Sequence, residues 1–404
     1  MTNKIKVGIL RETKNPPDKR VAITPVQAVE LMEKFPNVEL FIQPSDLRCY
    51  KDEEYEYFNL NMCEDLSHCD ILIGVKEVNI EALIDGKTYM FFAHVAKKQA
   101  HNKKLMRALL EKRIKLIDYE YLTDTLGNRV VAFGRWAGIV GAYNGLRAKG
   151  LRTDSFKLKA AHQCHDVQEM WAGLKMIKLR PIKILITGGG RVAHGAIETL
   201  SVMKIRKVTP EEYLNQTFDE PVYTQIDPDK YVRHKDGKEF DYKHFFSHPQ
   251  EYESTFLPYT KVTTMLISCH FWDPKSPVLF TRDEMKRPDF KISVIADVTC
   301  DINGSVPSTV RSSTIADPFY GYDKIQEKDF IAFSNPDHIT VMAVDNLPGE
   351  LPRDASSEFG RLLTDKVFPS LFGNDNEGVV KRATITADGK LTSIFSYLED
   401  YAKA

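Results

Sequence analysis

PIKILITGGGRVAHGAIETLSVM, residues 181 to 203, is the stretch on which the fold turns. An apolar run leads to Thr187, three consecutive glycines follow, and a pattern of helical period comes next. Gly188, Gly189, Gly190 and Ala193 spell G-x-G-x-x-A, with one more glycine, Gly195, two residues further. A strand, a tight turn and a helix in this order let backbone approach a pyrophosphate while the helix N-terminus faces it. A turn needing only positive φ could use the same glycines, but the flanking strand and helix favour a dinucleotide. Gly188, Gly189, Gly190, Arg191 and Val192 are therefore the candidate cofactor contacts. A carboxylate for the ribose is expected about 20 residues on. In "IRKVTPEEY" that strand end is Thr209, with Arg206 and Lys207 before it and Glu211 after, so NAD and NADP both stay open.

Outward from this turn, short apolar runs alternate with helical stretches. "IKVGIL", a helix near Pro25 to Lys34, "VELFI", "CDILIGVK", "YMFFAH" and "IKLIDYEY" precede it, and "TTMLIS", "KISVIADV" and "HITVMAV" follow. That rhythm is α/β with largely parallel sheets. Residues 213–260 are polar and aromatic, and they read as an insertion with a hairpin turn at Asp236-Gly237. In "FGRWAGIVGAYNGL", Trp136, Ile139, Val140, Tyr143 and Leu146 share one helical face despite three glycines. Glycine weakens a helix, so close packing in a helix that links two domains would justify it; a loop-rich connector is the alternative.

With 404 residues, 43% hydrophobic and 27% charged, the chain has the makeup of a globular protein of two or three domains. Its net charge of -1 offers no general attraction to nucleic acid or anionic membrane, so any anion site must be local. Six cysteines without a C-x-x-C pair read as reduced thiols in a cytoplasmic protein, and no metal-binding set is evident. No apolar run approaches the roughly 20 residues that cross a bilayer.

One local anion site does suggest itself. In "MFFAHVAKKQAHNKKL", residues 90 to 105, an apolar strand ends at His94, and Lys97, Lys98, His101, Lys103 and Lys104 gather around a helix start. Cations oppose the dipole there unless an anion binds.

Several phrases together resemble the alanine dehydrogenase and transhydrogenase N-terminal superfamily: "GILRETKNPPDKRVAITP", "VKE" and "FFAHVAKKQ". Within it, "LIDYEYL", "RVVAFGRWAG", "LPYTKVTTMLI", "IADVTCDINGS" and "VDNLPGELPRDAS" are similar to the L-lysine-forming saccharopine dehydrogenases of the lysine-ketoglutarate reductase type. The resemblance implies two Rossmann-like domains with parallel sheets, the first discontinuous, and an active-site cleft between them. Residues 1–135 plus 347–404 would form the substrate domain and 136–346 the dinucleotide-binding domain, with the insertion near 213–260.

It also implies an oxidoreductase acting on CH–NH groups with NAD or NADP, on small molecules: saccharopine, or lysine plus 2-oxoglutarate. Lys76 matches the family's base and His94 its second acid–base group. A base near neutrality needs a lysine pKa brought down from about 10.4, by burial or nearby cations. Glu77 would oppose this, and is expected to point away or to bind another cation. Lys97, Arg20 and Arg129 would meet substrate carboxylates, Lys14 lies near the active site, and Glu120 would hold an ammonium group or tune Lys76. Asp297 and Asp301 follow a buried strand near the expected nicotinamide end, Asp301 matches an active-site aspartate of the alanine dehydrogenases and Asp345 a cofactor-side residue of the saccharopine enzymes, while Cys269 and His270 could line the cofactor cleft without chemistry. An alanine dehydrogenase or another opine-type amino acid dehydrogenase is the alternative, and a regulatory nucleotide-binding protein is the rival from another class. The oligomeric state, a homo-oligomer included, stays open.

Overall fold

Buried runs of isoleucine, leucine and valine build two eight-stranded sheets, one in each of two compact units, Met1–Phe133 with Pro352–Ala404, and Gly134–Leu351. The computed structural model describes residues 4–403.

The first unit begins with β1 (Ile5–Ile9), β2 (Val38–Ile42), β3 (Asn61–Met62), β4 (Ile71–Ile73), β5 (Thr88–Phe91) and β6 (Lys115–Asp118). Every pairing among these six is parallel. All three residues of β4 are buried, as expected of a strand covered on both faces. Parallel strands bring all their carboxyl ends to one edge, the edge at which open α/β sheets bind ligands.

The basic stretch departs from expectation. The α-helix starts only at Lys103 (Lys103–Glu111), burying Leu105, Met106 and Leu109. Residues 95–97 and 100–102 form two separate 3₁₀ turns, and His94 and Lys98 take left-handed backbone, φ 54° and 55°. Lys97 thus stands off the helix dipole, in a turn of its own.

The second unit opens with the glycine-rich helix Gly134–Thr153. It continues through β7 (Lys183–Thr187), β8 (Arg206–Lys207), β9 (Val222–Ile226), β10 (Val232–His234), β11 (Tyr252–Ser254), β12 (Met265–Ser268), β13 (Val294–Asp297), β14 (Phe319–Asp323), β15 (Lys328–Ile331) and β16 (Ile339–Met342). The sheet order is β15-β14-β16-β13-β12-β7-β9-β8, antiparallel only at β14 and β15. A final antiparallel pair, β17 (Thr384–Ala387) and β18 (Lys390–Leu391), completes the first unit's sheet in the order β18-β17-β6-β5-β4-β1-β2-β3.

The glycines of Gly134–Thr153 have a steric purpose within the second unit. A Cβ on Gly138 would lie 1.8 Å from the Val192 carbonyl oxygen, and one on Gly195 would lie 2.0 Å from that of Arg135. The helix thus packs backbone to backbone on Arg191–Val202, the helix that follows the glycine turn. Arg135 and Glu198 (2.6 Å) and the Thr199 hydroxyl donating to the Ile139 carbonyl (3.0 Å) secure the crossing.

Two expectations for 213–260 are corrected. Residues 222–226 are a sheet strand, parallel to β7 and almost wholly buried, so the excursion proper begins after Ile226. Gly237 does take positive φ (72°), yet β10 and β11 are joined by 17 residues carrying the helix Tyr242–Ser247, not by a tight hairpin. Among the described residues, no helix is long and apolar enough to cross a membrane.

Candidate active site and cofactor cavity

In the first unit, Glu12, Lys76, Glu77, His94 and Glu120 all follow carboxyl ends of parallel strands. Glu12 fixes the turn after β4: its two carboxylate oxygens accept the backbone N–H groups of Val75 (2.6 Å) and Lys76 (2.8 Å). Burial nevertheless outweighs these bonds and raises the Glu12 carboxyl to about 8.

Lys76 is half-buried above this clasp. Burial first, then the charges of Arg20 and Lys14, hold its ammonium below the ordinary lysine range, against the opposing carboxylates of Asp18 and Glu77. Glu77 turns to other cations. Its Oε1 meets His94 Nδ1 at 2.6 Å, and its Oε2 accepts from Lys14 Nζ at 3.0 Å. Burial would raise Glu77, but those bonds dominate and bring it down to about 2. With the carboxylate on Nδ1, the hydrogen-bond geometry assigns the ring proton to that nitrogen and leaves Nε2 as the atom for proton exchange.

Arg20 does not meet the expectation of a substrate clamp. It is 2% exposed, its Nε donates to Asp18 Oδ1 at 2.9 Å, and its guanidinium lies 4.2 Å from the centre of the Phe133 ring. Its fork is spent on Asp18, and its influence on the site runs through its charge beside Lys76.

Lys97 and Arg129 do converge, on a carboxylate of the chain itself. Lys97 Nζ donates to Glu120 Oε1 at 2.8 Å and Arg129 Nη2 to the same oxygen at 2.9 Å. The Glu120 side chain is 8% exposed, those of Lys97 and Arg129 49% and 45%, so a buried anion orients two half-exposed cations. Burial pulls Glu120 up, but the Lys97 bond and the charges of Lys97, Arg129 and His94 hold it below the ordinary range. Its backbone N–H donates to Asp118, whose buried carboxyl is raised to about 7.

In the second unit, the glycine turn opens on a cavity of about 610 Å³. Gly188 has φ 88°, and a Cβ there would lie 2.8 Å from the His270 Cα; at Gly189 it would meet Asp227 Oδ1 at 2.5 Å. Around Gly190 a Cβ would find nothing within 4 Å. Gly190 caps Arg191–Val202 without a side-chain bond, so the helix presents backbone N–H groups at the turn. A cradle closed to side chains at two positions and open at the third fits a pyrophosphate.

Thr209, expected at the ribose, is not among the residues lining the cavity. It follows the edge strand β8, and its hydroxyl accepts the Glu212 N–H in a capping box. The strand beside β7 is β9, and the residue after it, Asp227, is a carboxylate lining the cavity. The spacing rule missed it because β8 and a short helix intervene before β9. The signal was present: "VYTQI" is a strand run ending in Asp227, hidden by reading 213–260 as one insertion.

Asp297 is likewise withdrawn from cofactor contact. Fully buried, it accepts from the hydroxyls of Thr299 (2.6 Å) and Thr309 (2.5 Å), and burial raises it to about 6 despite these bonds. It shapes the loop whose Val298 and Thr299 line the cavity. Asp301 and Asp345 follow β13 and β16 outside that lining; burial raises Asp301. Cys269 and His270 do line it, the imidazole Nδ1 2.7 Å from the Thr187 hydroxyl and its pKa pushed down by burial to about 4.

The sequence pattern described as "Alanine dehydrogenase/PNT, N-terminal domain" matches residues 8–140, the span holding Glu12, Lys76, His94 and Glu120. Over those residues the chain is similar to the alanine dehydrogenase/PNT superfamily. Among curated relatives, alpha-aminoadipic semialdehyde synthase of Arabidopsis thaliana is 28% identical over 98% of the chain and 42% of its own length. The mitochondrial synthase of Mus musculus is 30% identical over 97% and 47%. The chain thus spans about half the length of these relatives. Saccharopine dehydrogenase [NAD(+), L-lysine-forming] of Yarrowia lipolytica is 25% identical over 90% of the chain and 91% of its own length. A solved L-alanine dehydrogenase shares the fold, with a TM-score of 0.65 at 14% identity over 98% of this chain and 100% of that one.

Proposed function

We propose that this chain is an NAD-dependent, L-lysine-forming saccharopine dehydrogenase. The observation that carries the reading is Lys76: a half-buried ammonium held below the ordinary range, set at strand ends among Glu12, Glu77 and His94. Saccharopine-handling relatives matching nearly the whole chain support the substrate, and Asp227, a carboxylate suited to a ribose diol, supports NAD over NADP.

The glycine turn would hold the pyrophosphate and Asp227 the adenosine ribose. A bound nicotinamide would supply the hydride acceptor for the carbon beside saccharopine's secondary amine, and saccharopine, oxidised cofactor and water would together give L-lysine, 2-oxoglutarate, the reduced cofactor and one proton. Neutral Lys76 Nζ takes the amine proton as the carbon–nitrogen double bond forms. His94 Nε2 takes a proton from the water that adds to this bond, and returns it to the departing lysine nitrogen. Glu77 holds the imidazolium so formed, and Lys14 keeps Glu77 ionised. Lys97 and Arg129, steadied by Glu120, offer their remaining N–H groups to substrate carboxylates.

Reduced-cofactor oxidation should require lysine together with 2-oxoglutarate, followed by the fall in absorbance at about 340 nm; equal turnover with pyruvate and ammonia would overturn the substrate assignment. Lys76→Met should lower kcat by about 10²–10⁴ while leaving the NADH dissociation constant unchanged. A binding or sensor protein would instead show no turnover before or after the change.

A further inference from the structure

The excursion between β9 and β12 leaves two large aromatic rings in water. Tyr242 is 46% and Phe246 57% exposed, four residues apart on Tyr242–Ser247 and so on one face of the helix, their ring centroids 6.4 Å apart. Both line the cavity of the glycine turn, as does Phe271, 77% exposed, on the loop after β12.

The opposite side of this helix is firmly held. Phe245 is buried against Phe240 and Tyr252, with centroids at 5.7 and 5.0 Å. Asp241 caps the helix by accepting the His244 N–H at 2.6 Å, and His244 Nδ1 lies 3.1 Å from the Tyr252 hydroxyl. His234 Nδ1 accepts the Asp236 N–H at 3.1 Å, which places its ring proton on Nε2, 3.2 Å from Glu251. The cluster of His234, His244 and Glu251 is therefore closed by hydrogen bonds, and it braces the helix. A braced helix showing rings to a cavity is built to receive something flat and apolar.

The sheet order says what that is. β9 and β12 flank β7, so the loops after them stand on either side of the glycine turn. Asp227, at the start of one loop, takes the ribose in the reading above, and the base attached to that ribose must lie further along the same cavity. We propose that Tyr242 and Phe246, with Phe271 of the same cavity lining, form the adenine slot, and that the excursion exists to supply these aromatic walls. This inference rests on the dinucleotide reading.

The test uses ADP-ribose, which carries adenine but no nicotinamide, and reduced nicotinamide mononucleotide, which carries the reverse. By calorimetry, Tyr242→Ala/Phe246→Ala should raise the ADP-ribose dissociation constant on the order of tenfold, as loss of base–aromatic stacking does, while the dissociation constant of reduced nicotinamide mononucleotide, which has no adenine, should not rise with it. Tyr242→Phe/Phe246→Trp, which keeps both rings, should keep the affinity. Unchanged ADP-ribose binding in the alanine variant, or equal loss in the ring-conserving one, would overturn the adenine slot alone. A parent chain that binds neither ADP-ribose nor NADH would overturn the dinucleotide reading and the slot with it.

Discussion

Lys76 derives its chemistry from neighbours that the linear sequence disperses. Arg20 sits 56 positions upstream and is locked to Asp18, yet its charge is the second cause, after burial, that weakens the lysine's hold on a proton. Lys14 acts in the same direction. Lys14→Met removes that cation, so the Lys76 pKa should rise and the limb of the kcat/KM profile that requires neutral Lys76 should move to higher pH. Initial rates of saccharopine oxidation across pH would show it, and a limb unmoved or shifted to lower pH would exclude Lys76 as the base. That Lys76 and His94 follow strand ends was legible because each closes an apolar run. Glu12 was not: nothing in "RET" reveals that both its oxygens clasp the turn after another strand. The pairing of Arg20 with Asp18 was hidden for a different reason. An arginine two residues from an aspartate is common on surfaces, and only the tertiary fold buries the two together.

At the scale of elements, the glycine turn and the helix Gly134–Thr153 were read separately, and the structure shows one device. Gly138 and Gly195 permit the crossing that seats Arg191–Val202, and that helix in turn presents its N-terminus at the cavity. A side chain at Gly138 meets backbone, which cannot rotate aside, so Gly138→Ala should destabilise the chain by about 1–3 kcal/mol. Gly190→Ala meets open space and has φ −85°, which alanine accepts, so the melting temperature should not change. It should still weaken NADH binding, because its methyl group would stand where the pyrophosphate approaches. Thermal melts paired with NADH titrations separate the two variants; equal melting temperatures would dissolve the steric argument at Gly138. Strand periodicity could announce the turn but not its partner, since a helix with glycines on one face does not name the helix it meets. The choice of Thr209 over Asp227 has the same origin: spacing along the chain counts residues and does not say that β9, not β8, lies next to β7.

For the molecule as a whole, the alternation of strands and helices carried the α/β class, and the apolar runs marked almost every interior strand. What that alternation could not carry is the protonation state of carboxyls enclosed at strand ends. Glu12, Asp118 and Asp297 are raised, by burial first, from ordinary values of 4.5, 3.8 and 3.8 to about 8, 7 and 6. The folded chain therefore binds more protons than the unfolded chain between those limits, and stability declines with rising pH wherever that holds. Each group's contribution is complete below its unfolded value and is lost as pH climbs through its folded one. Glu77, brought down to about 2, has the opposite sign, but its contribution is already in full above the unfolded value near 4.5. Between pH 5 and 8 the three raised carboxyls outweigh the opposing group, His270, which burial lowers from 6.5 to about 4 and which favours the folded state as pH rises toward 6.5, so the melting temperature should fall across that range. Asp118→Asn keeps an oxygen to accept the Glu120 N–H and removes one titrating group, so its melting temperature should fall less steeply, most visibly up to pH 7. A parent chain whose melting temperature rises from pH 5 to 8 would show that these carboxyls are not held protonated in the folded state.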